Sequence, residues 1–324
     1  MKRSLVIILL AGSSVAALKS QVTITGADMF NEVGLYYRVH ANRYDPLDIS
    51  GGTAMTVPAG LIGEAGPDQF WDFSTGPTDR VFRFDYLVPT GFQAAEFTMA
   101  PLMEQMTDES DQSQMFLFLE HVPGLGRRVY GYYAQNPYFT PSNVFVPPIV
   151  DFPDPISYGL EWTTTTSYEN QLSIISPDPE EGGSFDFAQR TTLTSTFKAD
   201  AHGTILLPDT IGAFGPGLRI NEQVTIDSEI NFGEGYEHLQ TDYTRNYYWL
   251  MPGRGIVAQL NSTQSSSPPP EEFPRAIAFL RMFETNKKPQ STGGGCTVPD
   301  PVTDLRARVS AGVVLLTWSK ANCA

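Results

Sequence analysis

Cysteine is nearly absent from this chain of 324 residues, which contains only Cys296 and Cys323. Both lie in the C-terminal tail, so a framework of several disulfide bonds is excluded, and so are the C-x-x-C pairs of a structural zinc site. In an oxidising compartment these two cysteines could form one disulfide bond. The rest of the protein must therefore be held together by packing.

Basic residues and long apolar runs are also scarce. The chain has 21 Lys and Arg against 36 Asp and Glu, a formal net charge of −15, and no Lys/Arg-rich stripe. Such a surface repels phosphate backbones, so we expect no nucleic-acid partner. After the N-terminus, no segment approaches the ~20 apolar residues of a membrane-spanning helix. We therefore expect no transmembrane segment.

The familiar motifs of catalysis are missing from the mature chain. There is no G-x-S-x-G and no H-E-x-x-H, and the four histidines are widely separated. We therefore predict no cofactor, no metal site and no catalytic residue. Glu229, Glu234, Glu237 and Asp242 cluster in sequence, but the sequence cannot give the carboxylate separation of about 5 to 9 Å that glycoside cleavage needs. A role without catalysis is favoured, and the enzyme alternative stays open.

The N-terminus has the pattern of a secretory signal peptide. "MKRS" supplies a short basic region, Leu5–Leu10 an apolar region, and Val15, Ala16 and Ala17 the small residues that a signal peptidase accepts. The apolar region is too short for a stable transmembrane helix. Residues 1–20 are therefore predicted to be a signal peptide, and the protein to be exported to the extracellular space or the outer cell surface.

The body of the chain has the composition and periodicity of β-strands. Aromatic residues make up 12%, and Thr-rich runs such as "WTTTTSYEN" suit pleated strands. Leu35, Tyr37 and Val39 alternate with polar or amphipathic residues, which is typical of a half-buried strand. We predict an all-β domain over residues 21–287, built as one large antiparallel meander. Its form, whether a curved sheet, a half-barrel or a sandwich, is left open.

The C-terminal region changes character twice. Residues 288–301, "KPQSTGGGCTVPDP", are rich in Gly, Ser and Pro and are predicted to be a linker. In residues 302–324, Val314, Leu316 and Trp318 share one strand face after a first predicted strand. This pattern resembles the first two strands of a fibronectin type III domain. Because two strands cannot bury their apolar face, the segment is predicted to be incomplete and poorly packed.

Two aromatic runs are the candidate binding surfaces. "RRVYGYYAQNPYF" and "YTRNYYWLM" contain Tyr130, Tyr132, Tyr247 and Trp249, whose rings could stack on sugars or anchor a protein partner. The alternative is that alternate members of each run fill the β core. On sequence alone, this core alternative is favoured.

Four stretches, in order along the chain, carry a family resemblance: "GEAGPDQFWDFS", "FPDPISYGLEWTTTTSY", "KADAHGTILLPDT" and "GLRINEQVTID". Together they resemble uncharacterised secreted β-rich proteins of bacteria with type IX secretion. The resemblance implies an extracellular or surface module without known catalytic residues. It also implies a site for O-glycosylation at Thr210, because "DTI" resembles the short sequon used in such bacteria.

The sequence thus favours a non-catalytic binding or adhesion module whose partner is a glycan or an envelope component. An extracellular glycan or ester hydrolase that uses dispersed carboxylates or histidines is the first alternative. The second is a half-barrel that carries a hydrophobic ligand. This carrier would need an apolar concave face open to solvent, whereas a closed and filled core would argue against it.

Overall fold

A computed structural model describes residues 22–43, 54–134, 142–175, 184–211, 214–288, 306–310 and 313–317. The predicted signal peptide lies outside these ranges, and so do residues 289–301 of the predicted linker. Cys296 and Cys323 also lie outside the described residues, so their pairing stays a prediction.

The prediction of an all-β fold with a large antiparallel meander is confirmed. Two short 3₁₀ helices, Phe92–Ala94 and Asp209–Ile211, interrupt the strands. In chain order the strands of the body are β1 (Thr23–Ile24), β2 (Tyr36–Ala41), β3 (Met55–Thr56), β4 (Gly66–Asp72), β5 (Arg80–Leu87), β6 (Leu102–Asp108), β7 (Gln114–Val122), β8 (Gly126–Ala134), β9 (Ser142–Pro153), β10 (Ile156–Ser157), β11 (Glu161–Ile175), β12 (Ser184–Leu206), β13 (Phe214–Asn231), β14 (Glu237–Met251), β15 (Gly255–Ser262) and β16 (Arg275–Thr285).

Two meanders of six strands each make up the main sheet. The first runs through β2 and β5 to β9, and the second through β11 to β16. They meet at two junctions, where β2 pairs with β16 and where β9 lies beside β11. The twelve strands therefore close into a barrel-like sheet, which is more closed than the half-barrel that the sequence allowed. The short strand β4 adds to β12 in parallel.

Side-chain alternation along the strands determines what the closed sheet encloses. In β5, Phe82, Phe84 and Tyr86 are buried, whereas the intervening residues Arg83 and Asp85 form a salt bridge with each other. Burial of each such ring contributes about 1.5 to 3 kcal/mol relative to exposure. The period-2 pattern therefore fixes which face of β5 points into the sheet.

A second aromatic core, the Trp249 layer, lies on the outer face of the second meander. Along β14 the side chains alternate, so Tyr247 and Trp249 point away from the interior. Trp71 and Phe73, from β4 and the residue after it, pack against the Trp249 ring at centroid distances of 6.3 and 4.9 Å. The Trp71 indole donates to the Ile62 carbonyl at 2.9 Å, which fixes the covering segment in place.

A third core lies on the outer face of the first meander, under residues 88–101. Phe97 from this segment stacks on Phe118 of β7 with ring centroids 4.0 Å apart. Phe116 and Tyr133 belong to the same buried cluster. This covering segment contains a short 3₁₀ helix and no strand, and Phe92 and Met99 within it remain largely exposed.

The C-terminal region forms a separate hairpin of β17 (Arg306–Ser310) and β18 (Val313–Thr317). The register pairs Val309 with Val314 and Ala307 with Leu316. The side chains of this hairpin lie outside the described part of the chain, and so does Trp318. The predicted lack of a core around them therefore stays a prediction.

Candidate functional site

A groove of about 280 Å³, which we call the Phe92 groove, opens on the described surface. It lies on the outer face of the first meander, between the 3₁₀ helix of residues 92–94 and the turn that joins β6 to β7. Its lining consists of Phe92, Gln93, Gln112, Ser113, Gln114, Phe116 and Tyr133.

The turn between β6 and β7 builds one wall of the groove. The Asp108 carboxylate accepts hydrogen bonds from the Ser110 amide at 2.8 Å and from the Ser110 hydroxyl at 2.5 Å. The Gln112 amide then donates to the Asp108 carbonyl at 2.8 Å, which closes the turn. Gln112 has a φ of 63°, in the left-handed region that few residues other than glycine adopt. Gln112 is thus a strained residue in the wall of the groove. Backbone strain of this kind often occurs at functional sites.

The opposite wall depends on a glycine. Gly91 has φ 84° and ψ −179°, a combination that is essentially restricted to glycine. A Cβ atom built at this position would lie 2.7 Å from Oε1 of Gln93. Gly91 therefore determines the direction of the backbone before Phe92. Its lack of a Cβ atom leaves space for the Gln93 amide.

The chemistry of the groove combines aromatic faces with neutral polar groups. Tyr133 meets Phe92 edge-on with centroids 5.7 Å apart, and it meets Phe116 edge-on at 6.0 Å. Phe116 and Tyr133 are buried at the base, whereas Phe92 is 77% exposed at the rim. Three amide side chains and the hydroxyls of Ser113 and Tyr133 can both donate and accept hydrogen bonds. Among the described residues, no charged side chain belongs to the lining.

A second set of polar residues, the interior cluster, lies inside the closed sheet. It consists of Glu104, Arg127, Asp151 and Glu222, which come from β6, β8, β9 and β13. Arg127 Nε donates to both oxygens of Asp151 at 3.0 and 3.1 Å. Tyr86 donates a hydrogen bond to Glu104, and Tyr248 donates one to Glu222 at 2.8 Å. The cluster thus contains three carboxylates and a single guanidinium.

The interior shifts the protonation of these groups. Loss of water raises the pKa of Glu104 and that of Glu222, although hydrogen bonds from Asn246, Ser195 and Tyr248 partly offset the effect at Glu222. Burial opposes the charge of Arg127, but Asp151 and Glu104 together hold its pKa above the ordinary value. Burial and the nearby Arg127 charge lower the pKa of His121 to about 4.

The interior cluster has little room for a ligand. The cavity beside Arg127 and Tyr86 measures about 10 Å³, and another beside Tyr37 has the same size. Such a volume holds about one water molecule. Neither of these two cavities, both lined by described residues, is therefore large enough to admit a sugar ring or an ester.

The structure places the four predicted binding residues in different environments. Tyr247 and Trp249 are 1% and 0% exposed and fill the Trp249 layer, so they present no face to a ligand. This burial fits the core alternative that the sequence left open. Tyr132 lies inside the sheet against Tyr168, with ring centroids 6.1 Å apart. Tyr130 is partly buried, and its hydroxyl donates to Glu120 at 2.7 Å.

The predicted glycosylation residue is exposed. The Thr210 hydroxyl donates to the Phe283 carbonyl at 2.6 Å, so a modification there would have to replace this hydrogen bond. Among the clustered carboxylates, Glu229 pairs with Arg190 at 2.7 Å, and Asp242 accepts hydrogen bonds from Gln240 and Gln264. Both carboxylates are thus bound to neighbouring side chains.

The sequence missed the groove residues Phe92, Gln93 and Gln112. They lie on two loops that strand β6 separates, and only the fold brings these loops together. The one available signal was the Gly91-Phe92 step, an aromatic residue directly after a turn residue in a polar context.

Comparison with known proteins identifies no relative: no family model matches the chain, and neither a curated protein nor a solved structure is similar to it. Within the described ranges, no helix has the length and apolar character needed to cross a membrane. In the same ranges, no three His, Cys, Asp or Glu side chains converge in a way that could hold a metal ion. The Phe92 groove is therefore the candidate site.

Proposed function

We propose that this chain is a non-catalytic binding module of an exported protein, and that the Phe92 groove binds a neutral glycan. The observation that carries the proposal is the lining of the groove, where three aromatic rings meet three amides and two hydroxyls. Aromatic rings pack against the apolar faces of sugar rings, and amides match the hydroxyl groups at the sugar edges. The volume of about 280 Å³ suits one or two sugar units.

The preference for a neutral glycan follows from charge. The groove itself has no charged lining, and the whole chain carries a formal net charge of −15. The turn that forms one wall also carries three carboxylates, Asp108, Glu109 and Asp111, whose salt bridges go to two arginines, Arg38 and Arg80. Sialylated or uronic sugars would meet this acidic field, so they should bind more weakly than neutral sugars.

An extracellular location supports a glycan or envelope partner. The signal-peptide pattern of residues 1–20 and the resemblance to secreted proteins of type IX-secreting bacteria both favour export. The fibronectin-like start after the linker is typical of proteins that present several modules at a surface. These sequence features give the groove access to glycans of the cell envelope or of the surroundings.

The geometry of the described residues gives less support to the two alternative functions. A hydrolase would use facing carboxylates in an open cleft, whereas Glu104, Asp151 and Glu222 lie inside the sheet, bonded to Tyr86, Arg127 and Tyr248 respectively. A carrier of hydrophobic ligands would need an open apolar concave face, whereas the described sheet is closed and its interior is packed. The groove is the better-supported site.

The test is a glycan array with the full chain, followed by titration calorimetry with the best neutral oligosaccharide. Phe92→Ala removes the exposed ring and should weaken binding by about tenfold or more, as loss of an aromatic anchor does. Gln112→Ala should weaken binding to a smaller extent. Neither change should alter the circular dichroism of the folded protein.

Met99→Ala is the matched control, because Met99 is 75% exposed on the same covering segment but does not line the groove. The Met99→Ala variant should bind the oligosaccharide with the same affinity as the unmodified chain. Equal weakening by Met99→Ala and Phe92→Ala would place the ligand elsewhere. Hydrolysis of glycan or ester substrates by the full chain, with no glycan retained on the array, would instead support the enzyme alternative.

A further inference from the structure

The two junctions between the meanders are bonded very differently. At the junction of β2 and β16, five residue pairs are in register, from Ala41 with Leu280 to Tyr37 with Thr285. Asn286 extends this junction, because its amide group bonds the backbone of Tyr36 and of Gly34. At the junction of β9 and β11, only Val146 and Ser167 are in register within the residues that the structure describes.

The sequence of β9 explains the sparse pairing. Pro147 and Pro148 stand in the middle of the strand, and proline has no N–H to donate to a neighbouring strand. Side chains of β11 replace the missing ladder. The Thr166 hydroxyl donates to the Pro147 carbonyl at 2.7 Å, and the Trp162 indole donates to the Asp151 carbonyl at 3.1 Å.

The interior cluster lies behind this junction. Asp151 belongs to β9 itself, and its carboxylate holds Arg127. Glu104 and Glu222 are further carboxylates of the same cluster, which has one guanidinium, and an unbalanced charge away from water is costly. Separation of β9 from β11 would let water reach these groups. Hydration of the cluster would therefore favour separation of the two strands at this junction.

We propose that the closed sheet opens reversibly along the junction of β9 and β11, while the junction of β2 and β16 stays bonded as the hinge side. The opening admits water to the interior cluster and separates the Tyr168 ring from Tyr132 and Phe145. It is independent of the Phe92 groove, whose lining does not include any residue of β9 or β11.

Hydrogen exchange of the full chain tests the opening directly. Amides of β9 should exchange at least about tenfold faster than those of the β12–β13 ladder, where eighteen residue pairs are in register. A lock across the junction should remove the difference. Register partners in an antiparallel pair have Cα atoms about 4.5 to 5.5 Å apart, a separation that a disulfide bond can span.

The lock is the double variant Val146→Cys and Ser167→Cys in a background with Cys296→Ser and Cys323→Ser. The oxidised form should show slower exchange in β9 than the reduced form of the same variant, by about tenfold. The control lock, Thr194→Cys with Thr225→Cys, joins register partners of β12 and β13 and should leave exchange in β9 unchanged.

Two results would overturn the proposal. One is exchange in β9 as slow as in the β12–β13 ladder of the unmodified chain. The other is identical exchange in β9 for the oxidised and reduced forms of the Val146–Ser167 lock. The first result needs no variant, so the proposal is tested even if the lock does not fold.

Discussion

The Trp249 layer and the Phe92 groove are two aromatic regions on the outer face of the same closed sheet, but only one of them is fully covered. Over the Trp249 layer, Trp71 and Phe73 pack on Trp249 and leave it 0% exposed. Over the other region, Phe97 covers Phe118, whereas Phe92 remains 77% exposed. The same residue types thus form a core in one place and an open groove in the other.

This difference shows that aromatic content does not by itself identify a binding surface. Whether a ring packs in a core or faces a ligand depends on the length and path of the covering segment. The segment over the Trp249 layer includes β4, which pairs with β12 and is fixed by backbone hydrogen bonds. The segment over the groove has only a short 3₁₀ helix, so part of the sheet beneath it stays accessible.

The largest expected difference between the two regions is in how much each contributes to the free energy of unfolding. Trp249→Ala should lower the free energy of unfolding by about 3 to 5 kcal/mol, because it leaves a large cavity in a packed layer. Phe92→Ala should change this free energy by no more than about 0.5 kcal/mol, since the ring is mostly in water. Urea denaturation of both variants measures the difference, and similar losses would mean that Phe92 also belongs to a core.

A second prediction concerns the interior cluster. Because burial raises the pKa of Glu222 above its ordinary value of 4.5, the folded state binds this proton more tightly than the unfolded state does. Its contribution to stability is therefore fully present below the unfolded pKa and is lost as the pH rises through the folded pKa.

The variant Glu222→Gln keeps an acceptor for Asn246 and Tyr248 but removes the charge. It should stabilise the protein more at pH 8 than at pH 5, as measured by urea denaturation at both pH values. Glu109→Gln is the control, because Glu109 is on the outer surface. The account of the interior would be wrong if Glu222→Gln destabilised the protein equally at both pH values.

The third prediction concerns strain in the wall of the groove. Glycine adopts the left-handed conformation of Gln112 without the penalty that other residues meet, so Gln112→Gly should raise the free energy of unfolding by about 1 kcal/mol. The same change removes an amide from the groove and should weaken glycan binding. Thermal unfolding and calorimetry together measure this trade-off, and a loss of stability would show that the turn does not strain Gln112.

Much of the fold could be predicted because it depends on local alternation. The pattern of Phe82, Phe84 and Tyr86 requires a strand with one buried face, and runs of this kind recur along the body. The alternation also placed Trp249 and Tyr247 on one face of a strand. It could not show that this face is covered, because the covering residues Trp71 and Phe73 lie far away in sequence.

The interior cluster and the Phe92 groove were harder to predict for a related reason. Glu104 occupies an inward position between Leu102 and Met106, so a charge on an apolar strand face was a readable signal. Its partners Arg127 and Glu222 come from other strands and could not be assigned without the fold. The groove depends on a left-handed Gln112 and on the approach of two loops, neither of which follows from periodicity.

The most direct test of the central claim is a hydrogen-exchange footprint of the best neutral oligosaccharide on the full chain. The glycan should slow exchange in residues 91–93 and 112–116. Phe92→Ala should remove this protection, and Met99→Ala should retain it. Protection confined to residues 245–249 or to any other region, with no change at residues 91–93 and 112–116, would contradict the assignment of the groove as the binding site.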